Sequence, residues 1–274
     1  MPEAVRLGGM ALENGVLVHG PRHWACAIRA DDGSVQLASG RKPIRAAEVQ
    51  QPLLRGPLRL AEVVALLPAV RAALPQARLP YGRPRVLAGL AGSALASRAL
   101  RRSPLGAVAQ EGVSALLALG PALLALRGST LAEYHGAEHI SIGSYEHGEE
   151  RPREHERCGS HLVGPLVVTT AAGSLAARLA PPPARLAARA GAALGAVAAS
   201  VELFGWMVRN EEHPLARALA RPGTELQHRV LTAEPSGAQL EVAEAALAEC
   251  LRLESPGDGG EGRTAGDGEE APPT

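Results

Sequence analysis

Three long apolar segments constrain this chain more than any other feature. Ser103 to Leu126 carries one charge, Glu111, in 24 residues; Gly159 to Ala177 carries none besides His161; Ala190 to Val208 carries one, Glu202. A helix that crosses a bilayer needs about 20 mostly apolar residues, and all three have that length. Val86 to Ser97 is also apolar, but at 12 residues it is too short to cross unaided. Each segment is rich in Ala and Gly, which weakens partitioning into lipid but lets helices pack closely. A soluble all-α domain that buries these segments is the competing reading, and the mean hydropathy of +0.01 suits it. Local windows decide insertion, however, and polar ends dilute the average. The expected fold is mainly α: a helical membrane bundle with a small N-terminal β-hairpin unit.

The rest of the chain divides around that bundle. Residues 1–50 read as a small β-rich unit, because Trp24–Ile28 and Ser34–Leu37 are strand-like runs separated by Asp31-Asp32-Gly33, a strong hairpin signal. Residues 51–84 read as an amphipathic helical segment with leucines and valines on one side and Arg55 and Arg59 on another. It suits a membrane surface and an ordinary packed helix equally. Residues 85–212 form the hydrophobic helical domain, with Pro181-Pro182-Pro183 breaking its last part into a helical hairpin. In residues 213–254, Ser236 and Gln239 make a capping box for a C-terminal helix. Residues 255–274 hold no large apolar side chain and read as a disordered tail.

Chemistry concentrates in one place. Tyr134 to His161 holds five of the nine histidines, His135, His139, His147, His155 and His161, together with Cys158. The tightest element is His135-Gly136-Ala137-Glu138-His139, and on a helix its two imidazoles and the Glu138 carboxylate share one side. This is the H-x-x-E-H order, in which two histidines hold a divalent ion and the glutamate serves as general base on a metal-bound water. His155 and Cys158 supply an imidazole and a thiolate, both good zinc ligands. With all four of His135, His139, His155 and Cys158 bound, the ion is saturated and structural; three protein ligands with an open position make a catalytic site. A solvated, unligated polar loop is the bland alternative. His19 and His23 flank a Gly-Pro turn and read more readily as surface residues than as part of this site.

On these motifs the chain resembles the YqhQ-like bacterial membrane proteins, a family of unknown function described as metal-dependent. The resemblance rests on HGAEH, followed by Tyr145-Glu146 and by His155, Cys158 and Gly159, on the opening Gly8 to Arg29 segment with its Gly-Gly pair, and on His213 to Leu247. The chain departs from the family pattern at Glu156 and Ser160, and at Thr224 and Glu225, where an aromatic is expected after Pro222-Gly223. The resemblance implies a membrane protein with a metal and says little of substrate.

Net charge is zero, so no broad basic surface argues for nucleic acid, and membrane lipid is the expected partner; protein partners are not specified. Cys26, Cys158 and Cys250 are far apart and odd in number, which argues against a disulfide framework. The start MPEAVRLGGM lacks the pattern of a secretory signal. Arg127, Arg151, Arg153 and Arg157 beside the metal loop (134–161) place it on the cytoplasmic side of the cell membrane, whereas Arg98, Arg101 and Arg102 lie awkwardly for that topology. Two functions follow. The first is a hydrolase at the cytoplasmic membrane face that uses a zinc-type ion and Glu138. The second is a non-catalytic membrane protein whose metal pins the loop. Transport through a bundle containing Glu111 and Glu202 ranks below both.

Overall fold

The computed structural model describes residues 5–79, 84–126 and 129–255. Most of the tail at 255–274, as well as Arg127, lies outside the described residues, and so does the Glu111 side chain.

The N-terminal unit is larger than a hairpin. Strands β1 (Gly8–Leu12), β2 (Gly15–His19), β3 (His23–Arg29) and β4 (Val35–Arg41) form one antiparallel sheet in the order β1-β2-β3-β4. Asp31-Asp32-Gly33 closes the β3–β4 hairpin, with Gly33 at φ +85°, the left-handed conformation that glycine adopts freely. Glu13-Asn14 closes β1–β2, and the Asn14 side chain donates to the Arg29 and Gln76 carbonyls. Alternate side chains of a strand face opposite ways. Leu17, Trp24, Cys26 and Ile28 therefore pack on one side with Leu66, Val70 and Leu74, whereas Val16, Val18, Ala25 and Ala27 pack on the other with Tyr134, Ala137, Val242 and Ala246. Both faces are covered, which is why the strands read as nearly continuous apolar runs.

The covering helices come from distant parts of the chain. Helix α1 (Arg55–Ala73) lies on the first face; α4 (Thr130–His147) and α8 (Gly237–Glu254) lie on the second. The C-terminal helix completes the N-terminal sheet's core. Glu254 at its end seals the join, its Oε1 accepting from the Arg22 and His23 backbone N–H groups, each at 2.7 Å. The capping box at Ser236 and Gln239 opens α8, and Gln239 also donates to Glu133 of α4 at 2.6 Å.

The remaining helices form a separate layer. α2 (Pro84–Leu100) packs along α3 (Ala107–Leu126), α5 (Val163–Arg178) along α6 (Arg185–Arg209), and α3 against α5, with α7 (Pro214–Leu226) across the site end. The prolines at 181–183 make the turn between α5 and α6. Among the described residues two helices, Gly159–Arg178 and Pro182–Arg209, are long and apolar enough to cross a membrane, and only 28% and 22% of their apolar windows are buried. Leu87, Leu95, Leu116, Leu124 and Leu194 all face outward from this layer. Glu202 does not stand alone among apolar helices. It is paired with Arg55 of α1 and accepts from the Leu53 N–H at 3.2 Å, joining the layer to the sheet body.

Candidate metal centre

Helix α4 positions the H-x-x-E-H residues. It runs to His147 and stops at Gly148, whose φ of +69° supplies the left-handed C-cap. Only the second part of 134–161 is loop; His135, Glu138 and His139 stand on a helix that is largely buried. Gly136 is required by contact, because a Cβ there would sit 2.2 Å from the Ala233 carbonyl oxygen.

The two histidines are held in one tautomer. His135 Nδ1 lies 2.8 Å from the Leu231 carbonyl and His139 Nδ1 lies 2.7 Å from the Arg153 carbonyl. A carbonyl can only accept, so both Nδ1 atoms carry hydrogen and both Nε2 atoms present lone pairs. Cys158 comes to meet them, with Sγ 3.7 Å from His135 Nε2 and accepting from the Ser160 N–H at 3.5 Å. The ligand atoms of His135, His139 and Cys158 all lie within 4.8 Å of one another. Burial pulls the His139 pKa below its ordinary value, which keeps the ring neutral as a metal ligand requires. The group can hold a metal ion, and backbone carbonyls behind the imidazoles are what ligating histidines normally have.

His155 stands apart from this group. Its Nε2 is 3.1 Å from Glu146 Oε2, and Glu146 is also paired with Arg157. Its ring centroid is 5.5 Å from that of His139, at the edge of the same cavity. His147 turns back on Gly143 of its own helix, and His161 reaches Thr224.

Glu138 faces the cavity beside the cluster. Burial raises its pKa, against the opposing pull of His135 and His155, and Oε2 has no hydrogen-bond partner among the described residues. The Gly8-Gly9 pair of β1 makes room for this chemistry. A Cβ on Gly9 would fall 2.3 Å from Glu138 Oε1, and one on Gly8 would fall 2.7 Å from His19 Nε2. The cavity, about 540 Å³, joins these polar groups to an apolar wall of Met10, Leu60, Val63, Leu126 and Ile142.

Sequence reasoning passed over two contributors. His19 is no surface residue: it lines the cavity, and its Nδ1 meets the Lys42 amine at 3.3 Å. Lys42, the lone lysine of the chain, is buried and paired with buried Glu62 at 2.7 Å. Burial, aided by Lys42, lowers the His19 pKa to about 4, so the ring is neutral and accepts at Nδ1. His23 is partly buried too, beside Glu254. The second contributor is Gln227, fully buried in the π-helical turn Gln227–Leu231 that follows α7. Its amide accepts from His155 N–H at 2.8 Å and donates to Ser160 Oγ at 2.7 Å, stitching the loop to the turn that also supplies the Leu231 carbonyl. A single π-helical turn is a frequent mark of a functional site.

Residues 129–253 match a family model described as a protein of unknown function, DUF1385. The match begins at the start of α4 and ends in α8, so it spans the site helix, the loop and the π-helical turn, and leaves out the sheet and α1 to α3. Comparison with curated proteins and with solved structures finds no match.

Proposed function

We propose that this chain is an integral membrane protein with a single-ion metal centre held by His135, His139 and Cys158, and that it is a hydrolase acting at the cytoplasmic membrane face. The observation that supports the metal most directly is the pair of Nδ1–H donations to Leu231 and Arg153, which leave two Nε2 atoms aimed at one thiol. Three protein donors with a cavity beside them suit a catalytic ion more than a saturated structural one. Zinc is the ion that this nitrogen and sulfur set prefers, and its contribution when bound is to lower the pKa of a bound water toward ~7. Glu138, whose pKa burial raises and whose Oε2 has no hydrogen-bond partner among the described residues, exchanges a proton with the reacting group. The apolar wall beside the cluster suits a substrate that arrives from lipid.

The exposed apolar helices support membrane insertion, since monomeric soluble proteins seldom leave so large an apolar surface in water. The resemblance to YqhQ-like membrane proteins points the same way. Arg151, Arg153, Arg157 and Arg209 lie near the helix ends on the site side, and a free Cys158 thiol fits a reducing compartment, so the site faces the cytoplasm.

Elemental analysis of detergent-purified protein tests the centre. Native protein and His155→Ala retain about one zinc per chain, whereas His139→Ala and Cys158→Ala fall below about a tenth of that. Glu138→Gln keeps the metal and lowers hydrolytic turnover by about 10²–10⁴-fold. Full turnover in Glu138→Gln favours the structural-metal reading; a metal-free native protein purified without chelator removes both.

A further inference from the structure

Strand β1 is an edge of the sheet, paired only with β2 among the described residues. The Arg29 N–H donates to the Asn14 carbonyl, so the even-numbered residues of β2 turn their backbone groups to β3 and the odd-numbered ones, Gly15, Leu17 and His19, turn theirs to β1. Their partners are Leu12, Met10 and Gly8. Gly9 and Ala11 therefore point their N–H and C=O groups outward, away from the sheet. The Ala11 N–H turns to the Glu138 carboxyl, whereas the Gly9 N–H and C=O have no hydrogen-bond partner among the described residues. The strand carries neither charge nor proline, two of the devices that keep an exposed edge from pairing. The cavity at the metal cluster runs round this edge: it touches Met10, on the α1 face of the sheet, and Ala11, on the α4 face, with Gly8 and Gly9 between them and the chain's start.

One residue that aims both a donor and an acceptor at open space is matched by another extended backbone, which offers a C=O and an N–H at the same spacing. An acyl ester has no N–H to give the Gly9 carbonyl. We propose that β1 is the docking edge for an extended polypeptide segment, which pairs with Gly9 as an added strand and is the substrate of the hydrolase; the substrate role rests on the metal reading above. Paired strands lie about 4.8 Å apart. Glu138 Oε1 stands 2.3 Å from where a Gly9 Cβ would be, so the added strand passes beside that carboxyl. Leu60, Val63 and Leu126 form the wall against which its apolar side chains rest. Cleavage of one amide consumes one water. The water oxygen bonds to the acyl carbon, the C–N bond breaks with its electron pair passing to nitrogen, and that nitrogen takes a proton by way of Glu138, leaving a carboxylic acid and an amine.

The test is binding of a fluorescent, end-blocked octapeptide of alternating leucine and serine to the full Glu138→Gln chain in a neutral detergent, where cleavage does not consume the probe. Its control is the same peptide with every backbone amide N-methylated, which keeps the side chains and removes strand pairing. Saturable binding is expected, with the methylated peptide weaker by about tenfold or more. Hydrogen exchange at the Gly9 amide should slow about tenfold with the first peptide and not with the second. Equal binding of the two peptides, or unchanged exchange at Gly9, overturns the proposal. Zinc content of the same sample separates it from the reading it rests on. No peptide binding by a chain that carries about one zinc overturns the peptide alone, and no binding by a zinc-free chain overturns both. Binding with Gly9 protected in a zinc-free chain supports the docking edge and removes the metal.

Discussion

The sheet body and the helical layer solve the problem of burying apolar side chains in opposite ways. In the body, Leu12, Leu17, Ile28, Leu66 and Leu74 are almost wholly removed from solvent. In the layer, Leu95, Leu116, Leu186 and Leu194 are between 64% and 82% exposed, and what lies between the helices is mostly alanine and glycine. A body that folds in water gains its stability by removing apolar surface from it. A layer that leaves such surface outside and packs through small residues gains little that way, and its geometry suits lipid. The candidate metal centre sits where the two meet, on the body's α4 with a loop tied down by the turn that follows α7.

That contrast breaks most easily at the core. Leu66→Ala should cost the body about 2–5 kcal/mol, because Leu66 is fully buried between α1 and the sheet; thermal or denaturant unfolding reads the loss.

Acid should come next. The folded-state pKa of His19, about 4, lies below its ordinary 6.5, so protons bind the unfolded chain first. The contribution is intact above pH ~6.5 and falls by about 3 kcal/mol as pH drops toward 4. His19→Gln should flatten that part of the melting-temperature profile. A profile that keeps its slope would show that burial and the Lys42 charge, acting against the opposing pull of Glu62, do not hold it neutral.

Glu254→Gln should cost about 1–3 kcal/mol, since the carboxylate accepts two backbone N–H groups and pairs with Arg22. These contacts hold the Glu254 pKa below its ordinary value, so they persist above the ordinary carboxylate range and are lost in acid. Hydrogen exchange in β2 and β3 reads whether α8 loosens from the sheet.

The smallest effect belongs to the layer. Leu194→Ala should change stability in detergent by less than about 0.5 kcal/mol. A cost equal to that of Leu66→Ala would mean that the layer is a water-type core covered by a partner, and the comparison would fail.

Much of the site was legible before the fold. HGAEH and Cys158 point to metal chemistry because a helix's 3.6-residue period alone places His135, Glu138 and His139 on one side. His155 read equally well as a ligand, since spacing says nothing of the Glu146 that engages it. β3 and β4 announced themselves through Asp31-Asp32-Gly33, whereas β1 and β2 hid behind their glycines. Those glycines serve Glu138 and His19, contacts that span more than a hundred residues in one case. Gln227 and the Lys42–Glu62 pair were equally silent, because a buried polar group is recognised by its partners and not by its neighbours in sequence.

What the sequence by itself determined is local: which stretches are helical or apolar, where turns fall, and which donors lie one turn apart. Tertiary structure alone decided that the C-terminal helix completes the N-terminal core and that three of four proposed ligands converge. Chain periodicity governs the first set, and long-range packing, which no local pattern encodes, governs the second.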